Sequence, residues 1–170
     1  MLVALGANLG DPHAAVAAAC AQLQPFAASG FRASACYRSA PVDCPPGSPV
    51  FINAAVAFEA GEAETPATLL LALQAIEAAF GRAAQRARNS PRPLDLDLIL
   101  FGQRECTDAW LTLPHPRAHL RRFVLEPAAE IAADWPWPGR NATVLELLLQ
   151  CRAAQARGDA AAESIERLPR

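Results

Sequence analysis

The pentapeptide Leu94-Asp95-Leu96-Asp97-Leu98 constrains the fold of this 170-residue chain more tightly than any other stretch. Strict alternation has a period of two, and an extended strand puts every second side chain on the same face. The leucines then face a core and the two aspartates face the opposite way. Asp is a poor strand former, so two on one face is costly without a purpose. Their Cα atoms stand roughly 7 Å apart, twice the strand rise. Two carboxylates that close repel each other unless a cation lies between them. Hard oxygen donors suit Mg²⁺, which takes one or two carboxylates and fills its shell with phosphate oxygens and water. The plain alternative is the solvent-facing half of an amphipathic strand.

The rest of the chain punctuates itself around that strand. Residues 2–7 (LVALGA) read as a buried strand. Asp11 then stands at an N-cap with Pro12 at the first helical position, opening an Ala-rich helix to about Leu23. Phe31 to Ser39 reads as a second strand. Residues 40–50 (APVDCPPGSPV) hold four prolines and a glycine, which neither a sheet nor a helix accommodates, so they form an exposed loop. Phe51 to Glu59 is a third strand. Thr65 caps a helix running from Pro66 to about Phe80, residues 81–93 form a second long loop, and Leu94 to Phe101 is the fourth strand. This β-α-β-β-α-β order predicts an α+β, ferredoxin-like fold: an antiparallel sheet with helices packed on it. Short C-terminal elements follow: an apolar stretch near Leu111, a helical turn after His115 and a helix from about Thr143 to Gln150. Length predicts one domain over residues 1–150. Residues 151–170, rich in Ala, Arg and Glu, are expected to fray or form a solvated helix.

Composition excludes several chemistries. The apolar fraction of 52% includes 39 alanines, and all 15 basic residues are arginine. Without lysine there is no Walker-A phosphate loop, no kinase strand lysine and no Schiff base. No apolar run reaches the ~18 residues of a membrane span. A net charge of −2 offers no general attraction to nucleic acid or membranes. Five widely spaced cysteines without a C-x-x-C pair read as reduced, mostly buried thiols of a cytoplasmic protein.

Arginines flank the double Asp. Between Glu77 and Asp95 there is no acid but four arginines, Arg82, Arg86, Arg88 and Arg92, and Arg117, Arg121 and Arg122 form a second group beside His115. Guanidinium forks bind phosphate bidentately, so the pattern fits a polyphosphate–Mg²⁺ site made without lysine. His115 and His119 lack a third ligand for zinc, and Pro116 puts His115 at a cap, off the His119 face. Phe51 and Phe123 read by default as core residues, whereas Asn53 inside a strand needs a hydrogen-bond partner and suits a flat heterocycle. From these residues alone, a non-catalytic ferredoxin-like module binding nucleotide or RNA and a two-metal nuclease stay open. Acids on the sheet argue against the first, and the choice of substrate separates the second.

Five segments together resemble the 6-hydroxymethyl-7,8-dihydropterin pyrophosphokinases of folate biosynthesis over roughly residues 2–150. They are Gly6-Ala7-Asn8-Leu9-Gly10-Asp11-Pro12, Phe51-Ile52-Asn53-Ala54-Ala55-Val56, Pro91-Arg92-Pro93-Leu94-Asp95-Leu96-Asp97-Leu98, Pro114-His115-Pro116-Arg117 and Arg121-Arg122-Phe123-Val124-Leu125-Glu126-Pro127. The resemblance implies transfer of pyrophosphate from ATP to the pterin hydroxymethyl, with AMP released. It implies that Asp95 and Asp97 hold two Mg²⁺ ions, that Phe51 and Phe123 sandwich the pterin, and that Asn53 bonds its edge. Ser39, Ala40 and Val42 would contact the same ring. Leu70, Gln74, Glu77, Leu98 and Thr112 would line the nucleotide, and Arg82, Arg92, His115 and Arg121 would meet its phosphates, with Arg82 and Arg92 catalytic. The loops at 40–50 and 81–93 would correspond to lids. A monomer acting on small molecules, apart from nucleic acid and membrane, is expected. The chain departs from the family pattern at Ala7, where Ser is usual, and at Ala84, Asn89 and Pro116, where Arg, Trp and Tyr are frequent.

Overall fold

The computed structural model describes residues 1–81 and 90–169. Strand β1 (Leu2–Ala7) leads into helix α1 (Pro12–Leu23), whose N-terminus is capped by the Asp11 carboxylate accepting from the Ala14 amide at 3.0 Å. Strands β2 (Ala27–Ala33), β3 (Tyr37–Ser39) and β4 (Phe51–Ala60) follow. Helix α2 (Pro66–Ala79) opens on a reciprocal cap between Thr65 and Thr68, with Pro66 in the first turn where its missing N–H costs nothing. Strand β5 (Asp95–Leu100), a short hairpin of β6 (Cys106–Thr107) and β7 (Thr112–Leu113), helices α3 (Arg122–Ala132) and α4 (Val144–Arg157), and strand β8 (Ile165–Arg167) complete the chain.

The main sheet runs β5-β1-β4-β3-β8, with β2 also on β4, and every pairing is antiparallel. This is the expected ferredoxin-like α+β sheet. Helices α1 and α2 bury Val16, Leu23, Leu69 and Leu73 against Val3, Leu5, Val56, Phe58, Leu96 and Leu98. On the opposite face α3 and α4 bury Val124, Leu125, Ala128, Ile131, Leu147 and Leu148 against Leu2, Ala55, Ala57 and Ile99. Each buried Val, Leu, Ile or Phe among them is worth about 1.5–3 kcal/mol of burial. Leu96 and Leu98 of β5 thus face α1 and α2, whereas Leu100, past a register shift, joins the α3 side, and the aspartates face the side that α3 only partly covers.

Three expectations need correction. The strand read over Phe31–Ser39 is two strands, broken at residues 34–36, where the Ser34 hydroxyl takes the Ala55 amide at 3.0 Å in place of a ladder partner. The single turn after His115 is a 3-10 turn (Ala118–Leu120) followed by the eleven-residue α3. Pro127 lies inside α3, where it removes a donor, yet Val124, Leu125, Ala128 and Ile131 still recur at helical spacing and are buried. The segment after residue 150, expected to fray or form a solvated helix, is a helix without buried residues as far as 157 and then ends in a strand. Helix α4 runs on to Arg157, Gly158 takes the left-handed conformation at its C-cap, and β8 pairs with β3. Charge fastens β8 in place of an apolar face: Arg38 pairs with Glu166, and Arg167 with Glu130 at 3.0 Å. The cysteines, read as mostly buried, are all free thiols and all half-buried.

Candidate active site

On the face shared with α3, the C-terminal end of β1 meets the N-terminal ends of β4 and β5. Register sets Asp95 beside Gly6, Gly6 beside Asn53 and Asn53 beside Tyr37; one row on, Asp97 stands beside Ala4 and Ala4 beside Ala55. Both carboxylates therefore project from an edge strand onto a floor of small residues. The cleft above is lined by Ala4, Leu5 and Gly6, by Ser39, Ala40, Val42 and Cys44, and by Phe51 and Asn53. Arg92, Asp95 and Asp97 close one side, and Arg121, Phe123 and Val124 another.

Local bonding orients these groups. The Asn53 amide nitrogen donates to the Ser39 hydroxyl at 2.9 Å and the Tyr37 carbonyl at 3.3 Å. Both N–H groups are thereby consumed, and Oδ1 is turned toward Gly6 as an acceptor. Asn8, buried to 4% exposure, joins two walls: its Oδ1 takes the Arg92 amide at 2.7 Å and its Nδ2 donates to the Pro49 carbonyl at 3.2 Å. The Arg92 guanidinium reaches Asp95 at 2.9 Å and lies 5.9 Å over the Phe51 ring. Its Nε is buried without a hydrogen-bond partner, a donor that a ligand oxygen would satisfy. Arg121 lies 5.3 Å over Phe123. Burial, with Arg117 beside it, holds Arg121 below the usual guanidinium range despite Asp97, Asp43 and Glu163.

Burial, reinforced by the charges of Arg121 and Arg117, pushes His115 down to about 4 against the pull of Asp95. The imidazole is neutral at pH 7. Its Nδ1 accepts from the Arg117 amide at 3.3 Å, so the proton resides on Nε2, which is a donor.

Ten of the site residues named from sequence meet in this cleft: Ser39, Ala40, Val42, Phe51, Asn53, Arg92, Asp95, Asp97, Arg121 and Phe123. Six others do not line it and gather instead along β5. Leu70, Gln74 and Glu77 lie on α2, which packs on β5; Leu98 is in β5; Thr112 is in β7; and the His115 amide donates to the Ile99 carbonyl at 3.0 Å. Leu98 is buried in the core, and the buried Glu77 carboxylate accepts the Leu96 amide at 2.7 Å. Arg82, with Ala84 and Asn89, lies outside the described residues. Sequence reasoning missed Ala4, Gly6, Cys44 and Asn8. The first two were available from the alternation of β1, which turns them to the aspartate side.

Among the described residues no group of three or more His, Cys, Asp and Glu could hold a metal ion. Asp95 and Asp97 by themselves would leave most of a cation's shell to phosphate and water, a donor set that fits Mg²⁺.

The family model for 7,8-dihydro-6-hydroxymethylpterin-pyrophosphokinase (HPPK) matches residues 2–133. The chain belongs to this family. A 2-amino-4-hydroxy-6-hydroxymethyldihydropteridine pyrophosphokinase of Synechocystis sp. is 40% identical over 150 residues, covering 88% of this chain and 74% of that one. The Pseudomonas aeruginosa protein of the same name is 38% identical over 169 residues, covering 98% and 95%. Among solved structures, an HPPK-DHPS in complex with substrates superposes with a TM-score of 0.66 at 10% identity, and Plasmodium falciparum HPPK-DHPS at 0.64 and 11%. This chain spans 44% of each of those longer chains, and at such identity the likeness speaks for the HPPK fold alone. No helix among the described residues is long and apolar enough to cross a membrane.

Proposed function

We propose that this cleft is where the HPPK reaction takes place: transfer of the pyrophosphoryl group of ATP to 6-hydroxymethyl-7,8-dihydropterin, giving AMP and the pterin pyrophosphate in folate biosynthesis. The observation that carries the reading is the shared floor. Asp95 and Asp97 stand one strand from Gly6 and two from Asn53, with Phe51 and Phe123 at the rim. A pterin between the two rings presents its N–H edge to Asn53 Oδ1 and its hydroxymethyl to the aspartates. The hydroxyl oxygen attacks the β-phosphorus in line and gives up its proton to water, the bond from that phosphorus to the α-phosphate bridging oxygen breaks, and AMP leaves with that oxygen.

Two Mg²⁺ ions on Asp95 and Asp97 would neutralise phosphate charge and favour the nucleophilic hydroxyl. The remaining work belongs to the chain. Arg92 exchanges its Asp95 partner for phosphate oxygens, which also satisfies its orphaned Nε. Arg121 supplies a second fork, and neutral His115 donates from Nε2. The adenosine end lies along β5, beside Leu70, Gln74, Glu77, Leu98 and Thr112, and Arg82 adds a further cation. The enzyme acts as a monomer on small molecules. The deciding test is AMP release that requires both the pterin alcohol and Mg²⁺ and disappears in Asp97→Asn while the fold survives. Release without pterin, or cleavage of RNA or DNA, would overturn the reading.

A further inference from the structure

Helix α3 carries Phe123 at the edge of the cleft, yet its own N-cap residue, Arg121, provides no side-chain cap. Uncapped first-turn amides are costly where solvent cannot reach them. Here the cap comes from the far end of the chain. The Glu163 carboxylate accepts the Arg122 amide at 3.2 Å through Oε1 and the Phe123 amide at 3.1 Å through Oε2. Gln155 Nε2 donates to the same Oε1 at 3.3 Å, and Arg122 Nη1 to the Glu163 carbonyl at 3.3 Å. The next residue reaches the other wall: the Ser164 carbonyl accepts the Ala40 amide at 3.2 Å, and Ile165 pairs with Ser39 in β8. Three consecutive residues thus tie the backbone of Ser39-Ala40 to that of Arg122-Phe123, across the cleft that Ser39, Ala40 and Phe123 help to line.

We infer that Glu163 is a positioning residue for the pterin: it caps α3 from outside the helix and so fixes the Phe123 ring relative to the Ser39-Ala40 wall. The inference rests on the reading of the cleft as the pterin site. It concerns a residue beyond the 2–133 span that the family model matches. A carboxylate at a helix N-terminus bonds the amides and complements the helix dipole. Arg38–Glu166, Arg167–Glu130 and the Leu168 amide on the Cys36 carbonyl hold the segment whatever stands at 163. Removing the carboxylate therefore loosens one wall without releasing the strand.

The experiment compares full-length wild type, Glu163→Ala and Glu163→Gln, measuring Kd for hydroxymethyldihydropterin and for ATP separately, alongside melting temperature. Loss of an N-cap corresponds to roughly a tenfold change in an equilibrium. Glu163→Ala is expected to weaken pterin about that much while ATP affinity stays within about twofold. Glu163→Gln keeps an acceptor for one amide and is expected to fall between, and it carries the test should the alanine variant melt below assay temperature. Unchanged pterin affinity, or equal losses for pterin and ATP, overturns the inference, since a cap that only stabilises the fold would not separate the two ligands. Wild-type chain that releases no AMP with the pterin alcohol overturns the site reading instead, a distinct result.

Discussion

Gly6 forms the floor between Asp95 and Asn53, and Gly6→Ala tests whether a flat ring lies against that floor. A Cβ built at Gly6 would stand 3.5 Å from Asn53 Oδ1 and 3.9 Å from Phe51 Cδ1, ordinary contact distances. The protein can accept the methyl without moving β4. Strand interiors lose about 0.5–1 kcal/mol to glycine relative to alanine, and for a chain of this size 1 kcal/mol corresponds to roughly 2–4 °C in Tm. The variant should therefore melt a degree or more above wild type. The same methyl protrudes where the pterin ring would lie. Overpacking of one methyl-sized group costs about 1–3 kcal/mol, which is roughly 5- to 150-fold in Kd. Differential scanning calorimetry and pterin titration by fluorescence on one sample give both quantities. Pterin affinity within twofold of wild type, with the melting temperature maintained, would refute a ring seated on β1.

Other perturbations separate the two ligands or the two walls. Phe123→Ala should weaken pterin by about 1–3 kcal/mol, the value of stacking one base on an aromatic ring, and leave ATP nearly unchanged; equal losses in titrations of both would make Phe123 a packing residue. Arg92→Ala should lower kcat by orders of magnitude with a modest change in KM for ATP, and Arg92→Lys should restore little, because one ammonium cannot reproduce a fork; steady-state kinetics giving a KM effect alone would refute this. Glu126 is buried to 8% exposure, and burial alone would raise its carboxyl. Hydrogen bonds and charge from Arg152 and Arg122 outweigh burial and hold it below its ordinary value of 4.5. A depressed folded value contributes stability above the unfolded value that is lost as pH falls through the folded one. Melting temperature should thus drop below about pH 4.5, and Glu126→Gln should be less stable at pH 7 and flatter over that acid window.

The parts legible in the sequence share one property: each was local. Alternation at Leu94–Leu98, Asp11-Pro12 and Thr65-Pro66 are decided within a few residues, and the strands and helices they mark appear where expected. Phe51, Asn53, Asp95 and Asp97, proposed from sequence, line one cleft because strand register carries them to one face. What escaped depended on partners far along the chain. Nothing near Ser34 announces that its hydroxyl will take an amide of β4. Strand β8 has no apolar face and is fixed by Arg38 and Glu130 from other elements. Helix α3 hides behind Pro127, whose local preference is overridden by burial of its neighbours. Asn8 looks like a turn residue and becomes a bridge between Arg92 and Pro49 only after folding.

Each proposed clamp ring carries a guanidinium on its flank, Arg92 over Phe51 and Arg121 over Phe123. Such contacts are worth about 0.5–2 kcal/mol, more when dry, and the same guanidinium groups are the ones that would turn toward phosphate. With both ligands bound as proposed, the nucleotide would alter the surface on which the pterin stacks, and the pterin would alter the freedom of the groups that grip the nucleotide. Equilibrium linkage makes that exchange symmetric: whatever factor ATP imposes on pterin affinity, the pterin imposes on ATP. On that reading the two ligands would communicate through a pair of cation–aromatic contacts, and their cooperativity would measure the free energy of moving those two arginines between partners.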